Sequence, residues 1–372
     1  MSQPISEDAP TPSGHFFMPG PTEVHPDVLQ AQIRPMISHR GPGIHVLMRE
    51  LDAGLQAIFL TERHVYISTS SATGLMEAGI RNSGGRRVLS LVNGAFSERF
   101  AEVGRKCGLE VDEYAVPWGE AHDPDELRRH LKEGRYGTVT VAHSETSTSV
   151  LNDIRALAAV VREFDDIIVM VDSVSGFSAA EMRTDEWGLD FLLTGSQKAL
   201  ALPPGLAFGV ASKRMLERSA ASPGKGYYFD LEDFEANAEK YQSPTTPALS
   251  TLFALQVQLE RIQREGLEAR WARHRAMAER TYAWVDEMRA AGLDYSLVAP
   301  EGYRSPGVTA IRVPEDVAAS HIVEAMSARG WVLGAGYGQL KSTTFRIGHM
   351  GEHTVAELEA LLVELTDVVR GR

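Results

Sequence analysis

Between residues 64 and 211, short apolar runs alternate with amphipathic stretches, and small polar residues collect just after several of the runs. The runs are HVYIS (64–68), RVLSLV (87–92), LEVDEYAV (109–116), TVTVA (138–142), IIVMV (167–171), FLLTG (191–195) and LAFGVA (206–211). Helical patterns lie between them: LMEAGIRN, the stretch from Phe96 to Cys107, DPDELRRHLKEG and NDIRALAAVVREF. In the third of these Asp123 is placed to cap the helix and Pro124 to take its first turn. IIVMV is apolar at every position, as a strand covered on both faces must be. Strand and helix alternating over some 150 residues predict a mostly parallel sheet with helices on both faces. The later strands follow one another without a helix, so a mixed sheet is expected.

From Thr246 to Met288 the pattern is helical, with a break expected near Gly266, and then the rhythm changes. Short strands (PGVTAIRV, WVLGAG, TFRIG) mix with helices at 317–329 and 354–369, the last opening on a Thr354/Glu357 capping box. The chain of 372 residues is long for one core. The expected division is a loose arm over 1–15, a large α/β domain over 16–262 and a smaller α+β domain over 263–372, joined by a long helix near 262–290.

Four polar clusters fall immediately after strands. Ser70, Ser71 and Thr73 follow HVYIS; His143, Glu145 and Thr146 follow TVTVA; Asp172 and Ser173 follow IIVMV; Gln197 and Lys198 follow FLLTG. In a parallel sheet these ends share one edge, where ligands of open α/β proteins bind. Each cluster has a plain structural reading: most lysines are solvated, an aspartate at a strand end often caps the next turn, and Ser71-Ala72-Thr73-Gly74 reads as an ordinary helix start. Together they define a pocket. A lysine between short or apolar neighbours loses solvation, its neutral form gains, and it becomes a nucleophilic amine suited to a Schiff base with an aldehyde. A carboxylate beside an apolar strand needs a cation, which a protonated pyridine nitrogen supplies. Free N–H groups and hydroxyls at a helix start favour a phosphate. Amine, carboxylate and cradle match the three needs of pyridoxal 5'-phosphate.

Composition removes other classes. A formal net charge of −13 and no basic stripe argue against nucleic acid. No run of about 18 apolar residues suggests a membrane span, and the N-terminus lacks the basic start and apolar core of a signal peptide. A single cysteine, Cys107, forms no intrachain disulfide and suits a reducing compartment. A cytoplasmic protein is expected.

Several stretches resemble the class V aminotransferases, the branch of alanine–glyoxylate, serine–glyoxylate and serine–pyruvate transaminases. They are PGPTEVHPDVL (19–29), NGAFSERF (93–100), HSETSTSVLNDI (143–154), VDSVSGF (171–177), GSQKALALPPG (195–205), SPTTPAL (243–249) and FRIGHMG (345–351), spanning nearly the whole chain. The resemblance implies fold type I, pyridoxal 5'-phosphate and a homodimer with shared active sites. By it, Lys198 carries the cofactor, Asp172 pairs with the ring nitrogen, Phe96 stacks on the ring and Thr146 bonds near the ring oxygen. Ser71, Ala72, Thr73 and Gln197 hold the phosphate, with Thr245 reaching the partner subunit's cofactor. Arg346 grips the substrate carboxylate in two parallel bonds, and Gly20 borders the substrate. One departure is that some relatives carry a tyrosine three residues before the position of Thr245, where this chain has Gln242 with Tyr241 beside it.

The implied reaction moves the amino group of alanine or serine to glyoxylate or pyruvate. His39 and Arg40, in SHRGP, open a second reading: if they face the distal end of the substrate, phosphoserine or aspartate with 2-oxoglutarate becomes plausible. A third is a non-catalytic α/β binding protein with an inert Lys198. Other signals are set aside. GAGYG (334–338) lacks the spacing and following helix of a dinucleotide site. His349 and His353 have helical ligand spacing, but Gly351 intervenes and HExxH is absent. Cys107 sits at a helix end and not on a late mobile loop, so a desulfurase reading is discarded.

Overall fold

The computed structural model describes residues 15–371. The expected loose arm therefore lies outside the described residues, apart from His15. Seven strands form the main sheet: β2 (Tyr66–Ser68), β3 (Val88–Val92), β4 (Val111–Ala115), β5 (Thr138–Ala142), β8 (Ile168–Asp172), β9 (Phe191–Gly195) and β10 (Ala207–Ala211). Between β5 and β8 a small hairpin is made by β6 (Ser144–Glu145) and β7 (Val150–Leu151). The sheet order is β2-β10-β9-β8-β5-β3-β4. Five neighbours from β9 to β4 pair in parallel, and β10 runs antiparallel to both β9 and β2. This is the mixed, mostly parallel sheet that the alternating runs predict.

The apolar run of β8 shows why such strands carry no polar face. Val169 and Val171 point into one buried cluster, with Leu51, Leu55, Leu157 and Leu255 from helices on that side. Ile168 and Met170 point into another, with Leu75, Met76 and Phe100. Alternate residues thus enter opposite cores, because successive side chains on a strand point to opposite faces. The helix Pro124–Glu133 begins as expected, with the Asp123 carboxylate accepting from the backbone N–H groups of Asp125 and Glu126.

A second sheet has the order β1-β13-β14-β12-β11, built from β1 (His15–Phe17), β11 (Ser296–Leu297), β12 (Val308–Arg312), β13 (Trp331–Ala335) and β14 (Thr344–Gly348). Phe17, Trp284, Phe345, Ile347, Leu358 and Leu361 form its core. β1 pairs in parallel with β13. Residues 15–17 therefore belong to the second sheet, whereas the expected division puts 16–262 in the first domain. A three-residue strand carries no local signal of its partner, and this one lies over 300 residues away. The helices Leu249–Glu265 and Leu267–Ala290 meet at Gly266, where the break is expected. The final helix, Val355–Val369, opens on the Thr354/Glu357 capping box. Among the described residues no helix is long and apolar enough to cross a membrane.

For the site, one consequence matters. β2, β5, β8 and β9 all run in the same direction, so the residues that follow them emerge on one edge of the sheet.

Candidate active site

A cavity of about 250 Å³ opens at that edge. It is lined by Ser71, Ala72 and Thr73 after β2, Ser144 and Thr146 after β5, Asp172, Val174 and Ser175 at the end of β8, and Gln197 and Lys198 after β9. Gly20, Pro21, Met76, Phe96 and Arg99 complete the wall. The four strand-end clusters thus meet in one space.

Lys198 is 9% exposed and its amine donates to the Pro19 carbonyl. Thr22 fixes the lysine's own carbonyl through a 3.0 Å bond from its hydroxyl. The chain can pass this close only because residue 20 is glycine. Gly20 has φ +95°, and a Cβ there lies 2.6 Å from the Lys198 Cδ. Burial, and then the nearby Arg346 guanidinium, hold the Lys198 amine down to about 8.

Asp172, 5% exposed, accepts a 2.8 Å bond from the Val174 N–H. Burial pushes its carboxyl up to about 6, the Val174 bond opposes this and the Glu145 carboxylate adds to it. Among the described residues Asp172 forms no ion pair, with Lys198 or with any other cation. A buried acid and a buried amine therefore share the cavity without neutralising each other.

The helix Ala72–Arg81 starts at the cavity with Ser71 as an extended N-cap residue, without a side-chain cap and without an acidic residue in the first turn. Its positive end is left free for an anion. By contrast, the helix Ala95–Lys106 has its N-terminus filled from within. Glu145, fully buried, accepts from the backbone N–H groups of Phe96 and Ser97 and from the hydroxyls of Ser97 and Ser147. A Cβ on Gly94 overlaps this carboxylate, so only glycine fits there. Glu145 in this way locks the backbone that presents Phe96 to the cavity.

Thr146 and Ser175 share a 2.5 Å hydroxyl contact on the cavity wall. Arg346, on β14, reaches across from the second sheet. Its Nη1 donates to the Thr146 carbonyl at 3.1 Å and its Nε to the Ala335 carbonyl at 2.9 Å. Burial lowers its guanidinium to about 10.

Arg346 adjoins the cavity through Thr146 without lining it, and three further expected residues lie elsewhere. Arg40 donates to the carbonyls of Ser243 (2.8 Å) and Pro244 (3.3 Å), His39 is half-buried beside it, and Thr245 follows on the same loop. None of the three lines the cavity. Gln242, at the position of the departure noted above, contacts Arg40 and the His45 ring. His143, grouped with Thr146 in the sequence, turns away: its Nδ1 lies 2.9 Å from the Ser173 hydroxyl, and burial lowers it to about 3, so it stays neutral. The histidines set aside as ligands contact Thr281 (His349) and the Phe16 carbonyl (His353), and no group of three metal-ligating side chains forms among the described residues.

Sequence reasoning missed Arg99 and Ser175, which line the cavity, and gave Glu145 no role. Arg99 carried a signal, since it follows Phe96 by three residues on one helix and so shares its face. Its guanidinium lies 4.8 Å from the Phe96 ring centroid.

Comparison with known proteins accords with this geometry. The family model described as aminotransferase class-V matches residues 29–361. A protein of Synechococcus sp. named as the small subunit of a soluble hydrogenase is 37% identical, over 94% of this chain and 93% of its own. An L-aspartate–glyoxylate aminotransferase of Paracoccus denitrificans is 36% identical, over 93% of this chain and 88% of its own. The crystal structure of an alanine–glyoxylate aminotransferase from Nostoc sp. superimposes with a TM-score of 0.91 at 27% identity, covering 100% of this chain and 98% of the other. With a buried lysine and aspartate at one cavity and a family match over most of its length, the chain belongs to the class V aminotransferases.

Proposed function

We propose that the protein transfers the amino group of a small amino acid, alanine or serine, to a short 2-oxo acid, glyoxylate or pyruvate, with pyridoxal 5'-phosphate held in this cavity. The observation that carries the reading is the unpaired juxtaposition of Lys198 and Asp172 beside a free helix N-terminus. Such a set fits a molecule bearing an aldehyde, a basic ring nitrogen and a phosphate, and fits few others. Glyoxylate as acceptor is supported by the names of the Paracoccus and Nostoc proteins. Nothing in this chain alone favours an anionic donor through His39 and Arg40, since Arg40 is engaged with Ser243 and Pro244.

When bound, the cofactor supplies an electron sink for the bond to the α hydrogen. The residues around it have separable tasks. Ser71, Ala72, Thr73 and Gln197 hold the phosphate at the positive end of the helix. Phe96 would cover the ring, Thr146 would bond near its ring oxygen, and Asp172 would keep the ring nitrogen protonated. Lys198 would anchor the cofactor through its amine, and the same buried amine would be the base that takes and returns the α proton. With two of its donors on backbone carbonyls, Arg346 turns its remaining N–H groups to the substrate carboxylate. Gly20 lets the chain close over the lysine and exclude water.

The test is the visible absorbance of the purified protein with added cofactor. A yellow band is expected that decays on adding alanine or serine and returns on adding glyoxylate or pyruvate. Lys198→Ala is expected to lose turnover and borohydride trapping. A colourless protein that takes up no cofactor, or a Lys198→Ala variant with full activity, overturns the proposal. Decay with phosphoserine in place of alanine and serine moves the substrate assignment to the anionic donor.

A further inference from the structure

The segment GAGYG, set aside as a nucleotide site, places an aromatic ring between the groups that face cofactor and substrate. The Tyr337 ring stacks on Phe96, with centroids 5.3 Å apart and planes 26° from parallel. The Arg346 guanidinium lies 5.6 Å from the Tyr337 centroid. The Tyr337 hydroxyl accepts a 3.3 Å bond from Arg99. One ring is thus held by Phe96 and Arg99 of the cavity wall and by Arg346 beside Thr146. We propose that Tyr337 is the residue that sets the size of the amino donor's side chain, acting as the outer wall of the substrate space. The inference rests on the transaminase reading and deepens it.

The argument is one of position. A substrate whose carboxylate meets Arg346 is brought beside the space between Arg346 and Phe96. Tyr337 fills that space. The ring stands just outside the cavity lining, at the side where Phe96 and Arg99 form the wall. The wall is also supported from behind. Trp118 packs where a Cβ on Gly338 would stand, and its indole N–H donates to Glu98 at 3.3 Å. Because the ring is 38% exposed, truncating it opens the cavity outward and leaves the buried cores intact.

The experiment compares kcat/KM for alanine and phenylalanine with glyoxylate as acceptor, using the cofactor-loaded full chain. The ratio of the two cancels any loss of active protein. Tyr337→Ala is expected to raise the phenylalanine-to-alanine ratio by about 10- to 200-fold, the range that apolar pocket contacts discriminate. Tyr337→Phe keeps the ring and is expected to leave the ratio as in the wild type. An unchanged ratio in Tyr337→Ala overturns the proposal, as does an equal rise in Tyr337→Phe, which assigns the effect to the Arg99 bond. A wild type that turns over no amino acid at all defeats the transaminase reading instead, so the two failures are distinguishable.

Discussion

Burial acts in opposite directions on the two ionisable groups that face the cavity. It takes the Lys198 amine from 10.5 down to about 8 and the Asp172 carboxyl from 3.8 up to about 6. In both cases the charged form is the one that loses. Each shift has a consequence for the cofactor-free protein that can be signed. Between pH 8 and 10.5 the unfolded chain keeps the lysine proton and the folded chain does not, so stability rises with pH over that interval. Between pH 3.8 and 6 the folded chain keeps the aspartate proton and the unfolded chain does not, so stability falls as pH rises there. The lysine is the cleaner probe. Lys198→Met keeps the length of the stem and removes the charge. At pH 7 the variant is expected to be more stable than the wild type by up to ~3 kcal/mol, with the difference closing as the pH passes from 8 to 10.5. Urea unfolding of both proteins at stepped pH measures this. A wild type that shows no such gain over the variant contradicts a desolvated amine at position 198.

At the scale of elements, what was legible in the sequence is what is encoded locally. The Asp123 cap and the Thr354/Glu357 box each lie within a few residues of their partners, and the two-faced apolar run of β8 reports its own double burial. The meeting of the strand ends was legible at one remove, because parallel pairing forces it. The pairing of β1 was not, nor was the position of Tyr337, since both depend on partners distant in the chain. Arg270 is the strongest instance. It stands in the first turns of the helix Leu267–Ala290, a long polar-looking stretch that reads as surface, yet it is fully buried. Its guanidinium donates to the Ala199 carbonyl (2.6 Å), the Ser178 hydroxyl (2.9 Å), Glu265 (2.6 Å) and Glu352 (3.1 Å). It therefore ties the turn carrying Lys198 to the loop that follows β14 and Arg346. Burial pushes the Glu352 carboxyl up, but Arg270, Gln258 and Arg261 outweigh it and bring it down to about 2. Arg270→Met leaves two carboxylates short of their partner and is expected to cost about 3–5 kcal/mol in stability at pH 7. A depressed carboxyl contributes above its unfolded value near 4.5 and loses that contribution as the pH falls toward 2, so the gap between wild type and variant narrows in acid. Unfolding at pH 7 and below tests it, and a constant gap shows that packing rather than charge is at work.

Taken whole, the molecule gathers most of the expected cofactor residues from its own chain, sets Arg346 just behind the cavity wall and leaves Thr245, His39 and Arg40 outside the cavity. These three cluster around the loop at 243–245, next to a segment with uncovered apolar side chains: Leu29 (47% exposed), Ile33 (73%), Met36 (65%) and Val46 (54%). Apolar groups massed in this way are the usual mark of a subunit contact. The homodimer implied by resemblance would give both features one explanation: a second copy would cover the patch, and each copy would offer its loop to the other's cavity. A two-fold interface makes the exchange reciprocal, which allows a complementation test. On that arrangement Lys198→Ala would be defective in its own cavity and Thr245→Val in its partner's. In a mixed dimer one cavity then collects both defects and the other collects none. Mixing the two variants after dissociation, at limiting cofactor, is expected to restore activity to about a quarter of the wild-type level, because half of the dimers are mixed and each has one sound site of two. If Thr245 acted within its own chain, both cavities of every mixed dimer would carry one defect. No activity above the sum of the separate variants would then appear.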